Sequence, residues 1–133
     1  MKWLADVPWK TRCKEMQLTQ DLTINYIEIP VKDIAATKAF FSKVFHWHFE
    51  DYGPEYTCFT NAGIAGGFYL SDKGFNIASG APLIVIYAKA LEVCVTAVAD
   101  AGALITQEIF SFPGGRRFHF KDPNGNEFAV WSE

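Results

Sequence analysis

Long apolar runs are missing from this chain. No stretch approaches the roughly 20 apolar residues of a membrane span, and the opening MKWLADVPWKTRCKEM has no uninterrupted apolar segment of the kind a secretory leader needs. The resulting expectation is a soluble, cytoplasmic protein without a membrane partner. Positive charge is also short, with 12 Lys and Arg against 15 Asp and Glu for a formal net charge of -3. Such a balance lacks the field that non-specific nucleic-acid binding requires, which leaves small molecules and protein chains as partners. Cysteine is sparse: Cys13, Cys58 and Cys94 form neither a CxxC pair nor a Cys/His cluster at zinc spacing. They read as reduced thiols, with Cys58 and Cys94 buried as small hydrophobes. The glycine-rich PGGRR and NAGIAGG do not follow a strand and open a helix, as a phosphate loop must. No Ser/His/Asp or Cys/His arrangement stands out either.

Apolar material, by contrast, is plentiful. Half of the 133 residues are hydrophobic and 16% are aromatic, including 12 Phe, enough for one well-buried domain or two small repeated units around a core. The order of elements favours the repeat. TINYIEI (23–29) alternates and is β-branched, so it reads as a strand ended by Pro30, and Asp33 is placed to cap a helix over DIAATKAFFSKVF. Three short strands follow at about 47–52, 55–60 and 63–70, divided by YGPE and NAG. The second half repeats this order with a strand at 82–88, a helix at 90–102 closed by Gly102, and strands at 103–110, 116–121 and 126–133. The predicted class is therefore α+β, two tandem βαβββ modules forming a curved mixed-sheet cleft. In this division, 1–22 is an N-terminal arm bearing Trp3, Leu4, Val7 and Trp9. A single domain spans 23–133, with modules at 23–70 and 82–133 around the linker 71–81.

Three segments carry a resemblance: YIEIPVKDIAATKAFFSKVFHW (26–47), GIAGGFYL (63–70) and FKDPNGNEFAVW (120–131). Their order and spacing are similar to those of the vicinal oxygen chelate superfamily, which includes glyoxalase I, extradiol dioxygenases, and fosfomycin and bleomycin resistance proteins. The resemblance covers 23–133 and implies a small-molecule cleft between modules, often completed by a homodimer. It also marks departures. Metal-using members have a His on the first strand, seven residues before the capping Asp, where this chain has Tyr26. The equivalent place in the second half is about Leu83, the fourth-strand ligand would fall within Gly66 to Tyr69, and the final Glu would stand at Ala129. No metal site and no cofactor are therefore expected.

Strand alternation assigns what faces the cleft instead. If Tyr26 faces it, so do Ile24 and Glu28, while Ile27 and Ile29 lie under the helix; Ala129 shares its face with Glu127 and Trp131, and Leu83 with Val85 and Tyr87. His119 stands where extradiol dioxygenases similarly place a cleft-facing Tyr, and Arg117 and Lys121 share its face. The candidate ligand-binding set is Tyr26, Glu28, Leu83, Tyr87, Arg117, His119, Ala129 and Trp131, suited to a small ligand with an aromatic or carbonyl part and an anionic group. Plainer roles stay open. Glu28 and Arg117 pair as a structural ion pair, the aromatics fill the core, and His119 is a surface or hydrogen-bonded histidine. His46 and His48 flank Trp47 without a third ligand, and His46 is expected in the left-handed region at the helix end.

Three functions follow. The first is metal-independent binding of a small organic molecule, as sequestration or transport. The second is a glyoxalase-like lyase or isomerase with Glu28 and His119 as acid-base catalysts and Tyr26 as electrophile. The third is a protein-interaction or regulatory module using the arm.

Overall fold

A computed structural model of the chain describes residues 20–133. The readings of Cys13 and of Trp3, Leu4, Val7 and Trp9 lie outside the described residues. The described part is βαβββ written twice. The first module comprises β1 (Tyr26–Val31), α1 (Ile34–Phe45), β2 (His48–Asp51), β3 (Tyr56–Thr60) and β4 (Ala65–Leu70). A 3-10 turn (Ile77–Ser79) interrupts the linker, and the second module follows with β5 (Ile84–Tyr87), α2 (Leu91–Asp100), β6 (Leu104–Phe112), β7 (Gly115–Lys121) and β8 (Glu127–Ser132). Each module forms its own four-stranded mixed sheet, β1-β4-β3-β2 and β5-β8-β7-β6, in which only the outer pairs β1·β4 and β5·β8 are parallel.

Local chemistry explains these boundaries. The Asp33 side chain accepts a hydrogen bond from the Ala36 amide at 2.9 Å and starts α1. His46 ends it at φ 61°, in the left-handed region expected of it, and its amide donates to the carbonyls of Phe41 and Ser42. Pro30 does not end β1. It is paired opposite Tyr69 and the strand runs on to Val31, because β1 is an edge strand and the missing N–H leaves no central ladder broken.

One core serves both sheets. Ile29, Val31, Phe59 and Phe68 of the first sheet and Phe118, Phe120, Phe128 and Val130 of the second belong to a single buried cluster. Helix α1 joins them: Phe41 lies 5.4 Å from Phe68 and 5.3 Å from Phe128 between ring centres, and Phe45 stacks on Phe120 at 6.0 Å. The sheets stay open and share no strand pairing.

The Asp-Pro-Asn-Gly-Asn turn between β7 and β8 clasps the modules together. Asn124 Oδ1 accepts from the amides of Lys32 and Asp33, and its Nδ2 donates to Thr37 Oγ1. Asn126 Nδ2 donates to the Pro30 carbonyl while its Oδ1 accepts from the Phe75 amide. Asp122 shapes the turn by accepting from the amides of Asn124 and Asn126. All three side chains are buried, so these bonds are shielded from water.

Candidate functional site

Alternation along the strands puts the candidate residues on the faces turned away from the shared core. On β1, Ile27 and Ile29 pack into the core, which turns Tyr26 and Glu28 to the other face. On β8, Phe128 and Val130 are core residues and Glu127, Ala129 and Trp131 face away. Cross-strand pairing sets His119 beside Ala129, Arg117 beside Trp131, Val85 beside Ala129 and Tyr87 beside Trp131. Leu83, half-buried, directly precedes β5.

The eight candidates fall into two groups. Tyr26 and Glu28 belong to the first sheet; Tyr87, Arg117, His119, Ala129 and Trp131 belong to the second, with Leu83 at its entry. Among the described residues, no ion pair forms between Glu28 and Arg117, and the structural pairing considered from sequence is replaced by other partners.

The first group is tied together by a residue that strand alternation alone does not mark. Tyr56, fully buried on β3, donates from its hydroxyl to Glu28 Oε2 at 3.1 Å, and the Tyr26 hydroxyl lies 2.7 Å from it. Since each hydroxyl has one proton, the direction runs from Tyr26 to Tyr56 to Glu28. Burial pushes the Tyr26 phenol up from 10.0 to about 12, with the Glu28 charge adding to the effect. Burial raises Tyr56 as well, reinforced by Tyr26 and Glu28. Gly67 makes this arrangement possible: a Cβ there would collide with the Tyr56 hydroxyl oxygen. The signal in the sequence was the Gly-Gly pair within a strand, which marks close approach by another group.

The second group is differently satisfied. His119 is 3% exposed, yet neither ring nitrogen has a hydrogen-bond partner among the described residues; Glu127 Oε2 stands 3.6 Å from its Nδ1. The other oxygen, Oε1, accepts from the Ile77 amide in the linker. Arg117 extends its guanidinium over Phe110 and Phe112, 5.2 and 5.3 Å from the ring centres, and its buried Nε has no hydrogen-bond partner among the described residues. Trp131 meets Tyr87 edge-on at 5.2 Å, and the Tyr87 hydroxyl donates to Glu133. Val85, Phe112, Gly114, Arg117 and Trp131 line an open pocket of about 290 Å³. Phe112 lies beyond the strand expected at 103–110, and Phe110 lies within it but past two register shifts against β7, which alternation along the sequence does not reveal. Separately, an apolar cavity of about 390 Å³ lies between Ile27 and Ile29 of β1 and Ile84 and Ile86 of β5.

Metal donors do not assemble. Among the described residues no group of three or more His, Cys, Asp or Glu side chains is placed to hold an ion. The positions implied by the resemblance carry a phenol at Tyr26, hydrocarbon at Leu83 and Ala129, and Gly66 to Tyr69. These residues do not fit a catalytic divalent metal. Cys58 departs from the reduced-thiol reading, being buried and disulfide-bonded, since spacing along the chain says nothing about proximity in space. Cys94 is free, and burial lifts its thiol from 9.0 to about 11. No described helix is long and apolar enough to cross a membrane.

Comparison with known proteins follows the same lines. The family model of the Glyoxalase/Bleomycin resistance protein/Dioxygenase superfamily matches residues 23–130. No curated protein matches. Among solved structures, a glyoxalase-related enzyme from Fulvimarina pelagi superposes with a TM-score of 0.70 at 16% identity, covering 84% of this chain and 88% of its own. A glyoxalase/bleomycin resistance protein/dioxygenase family enzyme from Burkholderia phytofirmans PsJN gives 0.68 at 18%, with coverages of 80% and 94%. The fosfomycin resistance protein FosX from Listeria monocytogenes gives 0.69 at 16%, with coverages of 88% and 95%. At such identities these likenesses speak to fold alone.

Proposed function

Because the chain belongs to the Glyoxalase/Bleomycin resistance protein/Dioxygenase superfamily, we propose that it binds a small organic molecule without a metal, sequestering or carrying it. In this reading residues 23–133 act as one binding domain and the outer face of the second sheet receives the ligand. The observation that carries it is the unsatisfied polarity of that face. Arg117, whose Nε has no hydrogen-bond partner among the described residues, lines an open, aromatic-walled pocket, and two positions along the same strand stands a buried imidazole whose ring nitrogens likewise have none among them. Folding alone gains nothing from leaving such groups unpaired, and a ligand that pairs them recovers the cost.

A homodimer is part of the proposal. In it, the outer face of one chain's first sheet and of its partner's second sheet would bound one cleft, uniting residues that a single chain keeps on separate sheets. The rival reading, a lyase or isomerase, draws support from His119 beside Glu127, a buried imidazole-carboxylate pair free of other duties at the ring. Its other proposed catalyst, Glu28, is already engaged by Tyr56.

Native mass spectrometry of the purified protein, as isolated and after addition of Zn²⁺, Ni²⁺ or Fe²⁺, tests the reading in one spectrum. The expected result is a metal-free dimer that retains or accepts an organic mass from a collection of metabolites and antibiotics. Stoichiometric metal that organic binding depends on, or a dimer that accepts no organic compound, would sink it. Turnover lost in Glu28→Gln at unchanged stability would favour the enzyme instead.

A further inference from the structure

Resting on the binding reading above, we infer that the ligand of the second sheet is a compact, flat carboxylate, its anion held by Arg117 and its ring lying against Phe112 and Trp131. The argument begins with two adjacent arginines. Arg116 and Arg117 follow one another on β7 and point to opposite faces. Arg116 reaches both carboxylate oxygens of Glu92, at 2.5 and 3.2 Å. Arg117 is half-buried and has no carboxylate within ion-pair distance among the described residues. A guanidinium cannot shed its proton to escape this situation, so its charge persists at every physiological pH.

Two rings hold that charge in place. The faces of Phe110 and Phe112 offset part of the lost hydration and restrict the guanidinium to one plane. A fixed, planar fork of N–H donors matches the two oxygens of a carboxylate. The rest of the pocket supplies no competing acid: its lining is Val85, Phe112, Gly114, Arg117 and Trp131. The nearby Glu133 is occupied by the Tyr87 hydroxyl.

Shape narrows the class further. The pocket measures about 290 Å³, at the lower end of the ~300–1,000 Å³ usual for small-molecule sites, which suits one or two fused rings. Phe112 and Trp131 lie 6.3 Å apart between ring centres at 65°, an edge-to-face contact pair that forms an aromatic wall on which a flat group can lie. Gly114 preserves it, since a Cβ there would come within 2.9 Å of the Phe112 ring.

The test is calorimetry of the intact protein with benzoate and naphthoate as flat anions, benzamide as the uncharged isostere, and cyclohexanecarboxylate as a non-flat anion. The flat anions are expected to bind at least about tenfold more tightly than either control. Arg117→Gln is expected to abolish that preference while leaving the melting temperature unchanged, with Arg117→Lys intermediate because a point charge lacks the fork. Equal affinity for benzoate and benzamide, or undiminished benzoate binding by Arg117→Gln, overturns the inference and leaves the binding reading intact. Binding of other compounds from the collection with none of the flat anions does the same. Only if no organic compound binds does the underlying reading fall with it.

Discussion

The outer faces of the two sheets contain similar chemistry in opposite states of satisfaction. On the first, Tyr26, Tyr56 and Glu28 are linked by a chain of hydrogen bonds, with Gly67 leaving room for it. On the second, two nitrogens of His119 and one of Arg117 have no hydrogen-bond partner among the described residues, although His119 is as deeply buried as many core residues. A polar network whose members complete one another needs no further partner and fixes local geometry. One whose members remain open costs stability and is retained where something else completes it. On the proposed binding reading, repetition of the βαβββ unit yields a structural face and a receptive face, with Glu28 assigned to the first.

The sharpest way to break this comparison is to disturb the closed network. In Gly67→Ala the new methyl would press on the Tyr56 ring, colliding with its hydroxyl oxygen and Cζ. Overpacking together with the lost hydroxyl bonds is expected to cost about 3 kcal/mol. Tyr56→Phe removes the hydroxyl alone and is expected to cost about 2 kcal/mol, because Glu28 loses a donor and Tyr26 an acceptor. The double substitution should cost less than the sum, since both act through one ring. Urea unfolding measures all three. If Tyr56→Phe leaves stability intact but impairs ligand binding, the first face is receptive too and the contrast fails.

The receptive face predicts an effect of opposite sign. His119→Phe replaces an unpartnered imidazole with a ring of similar size, against Phe110 at 5.8 Å and beside Ala129. Stability is expected to rise by about 1 kcal/mol, because the 3.6 Å approach to Glu127 Oε2 is too long for a hydrogen bond, so none is lost and a desolvated polar group is removed. Ligand affinity is expected to fall. A variant that is both less stable and unimpaired in binding would make His119 a structural residue and move the receptive site elsewhere.

How much of this was legible beforehand depends on the range of the interaction. Alternation on β1, β5 and β8 correctly separated Tyr26 and Glu28 from Ile27 and Ile29, and Ala129 and Trp131 from the core, because a period of two is a local property. Asp33 and His46 were legible for the same reason, as helix ends read from adjacent residues. The Tyr56–Glu28 bond spans 28 positions, and no local pattern ties a tyrosine in one strand to a glutamate in another. Nor does alternation reveal which sheet a face belongs to, so one expected lining became two. The Asp-Pro-Asn-Gly-Asn turn was legible as a turn. Its role as the clasp onto Lys32, Asp33 and Thr37 depends on contacts about 90 residues away, which only the packed modules create.

The smallest expected effect is one of pH, and its sign follows from linkage. Tyr26 has a folded pKa of about 12 against 10.0 in the unfolded chain, so between these values the unfolded state releases a proton that the folded state keeps. Stability from this source is therefore complete below pH 10 and declines as pH rises toward 12, and Tyr56, raised likewise by burial, adds to the decline. Cys94 contributes with the same sign from a lower pH, since its thiol rises from 9.0 to about 11. Measurements in a Cys94→Ala background remove that overlap. Urea unfolding across the alkaline range should then show a falling stability that Tyr26→Phe makes shallower and that Arg117→Gln leaves unchanged, because only the first face couples buried phenols to a carboxylate. An equal change of slope in both variants would mean that the two faces titrate as one, and the division between a closed face and an open one would not hold.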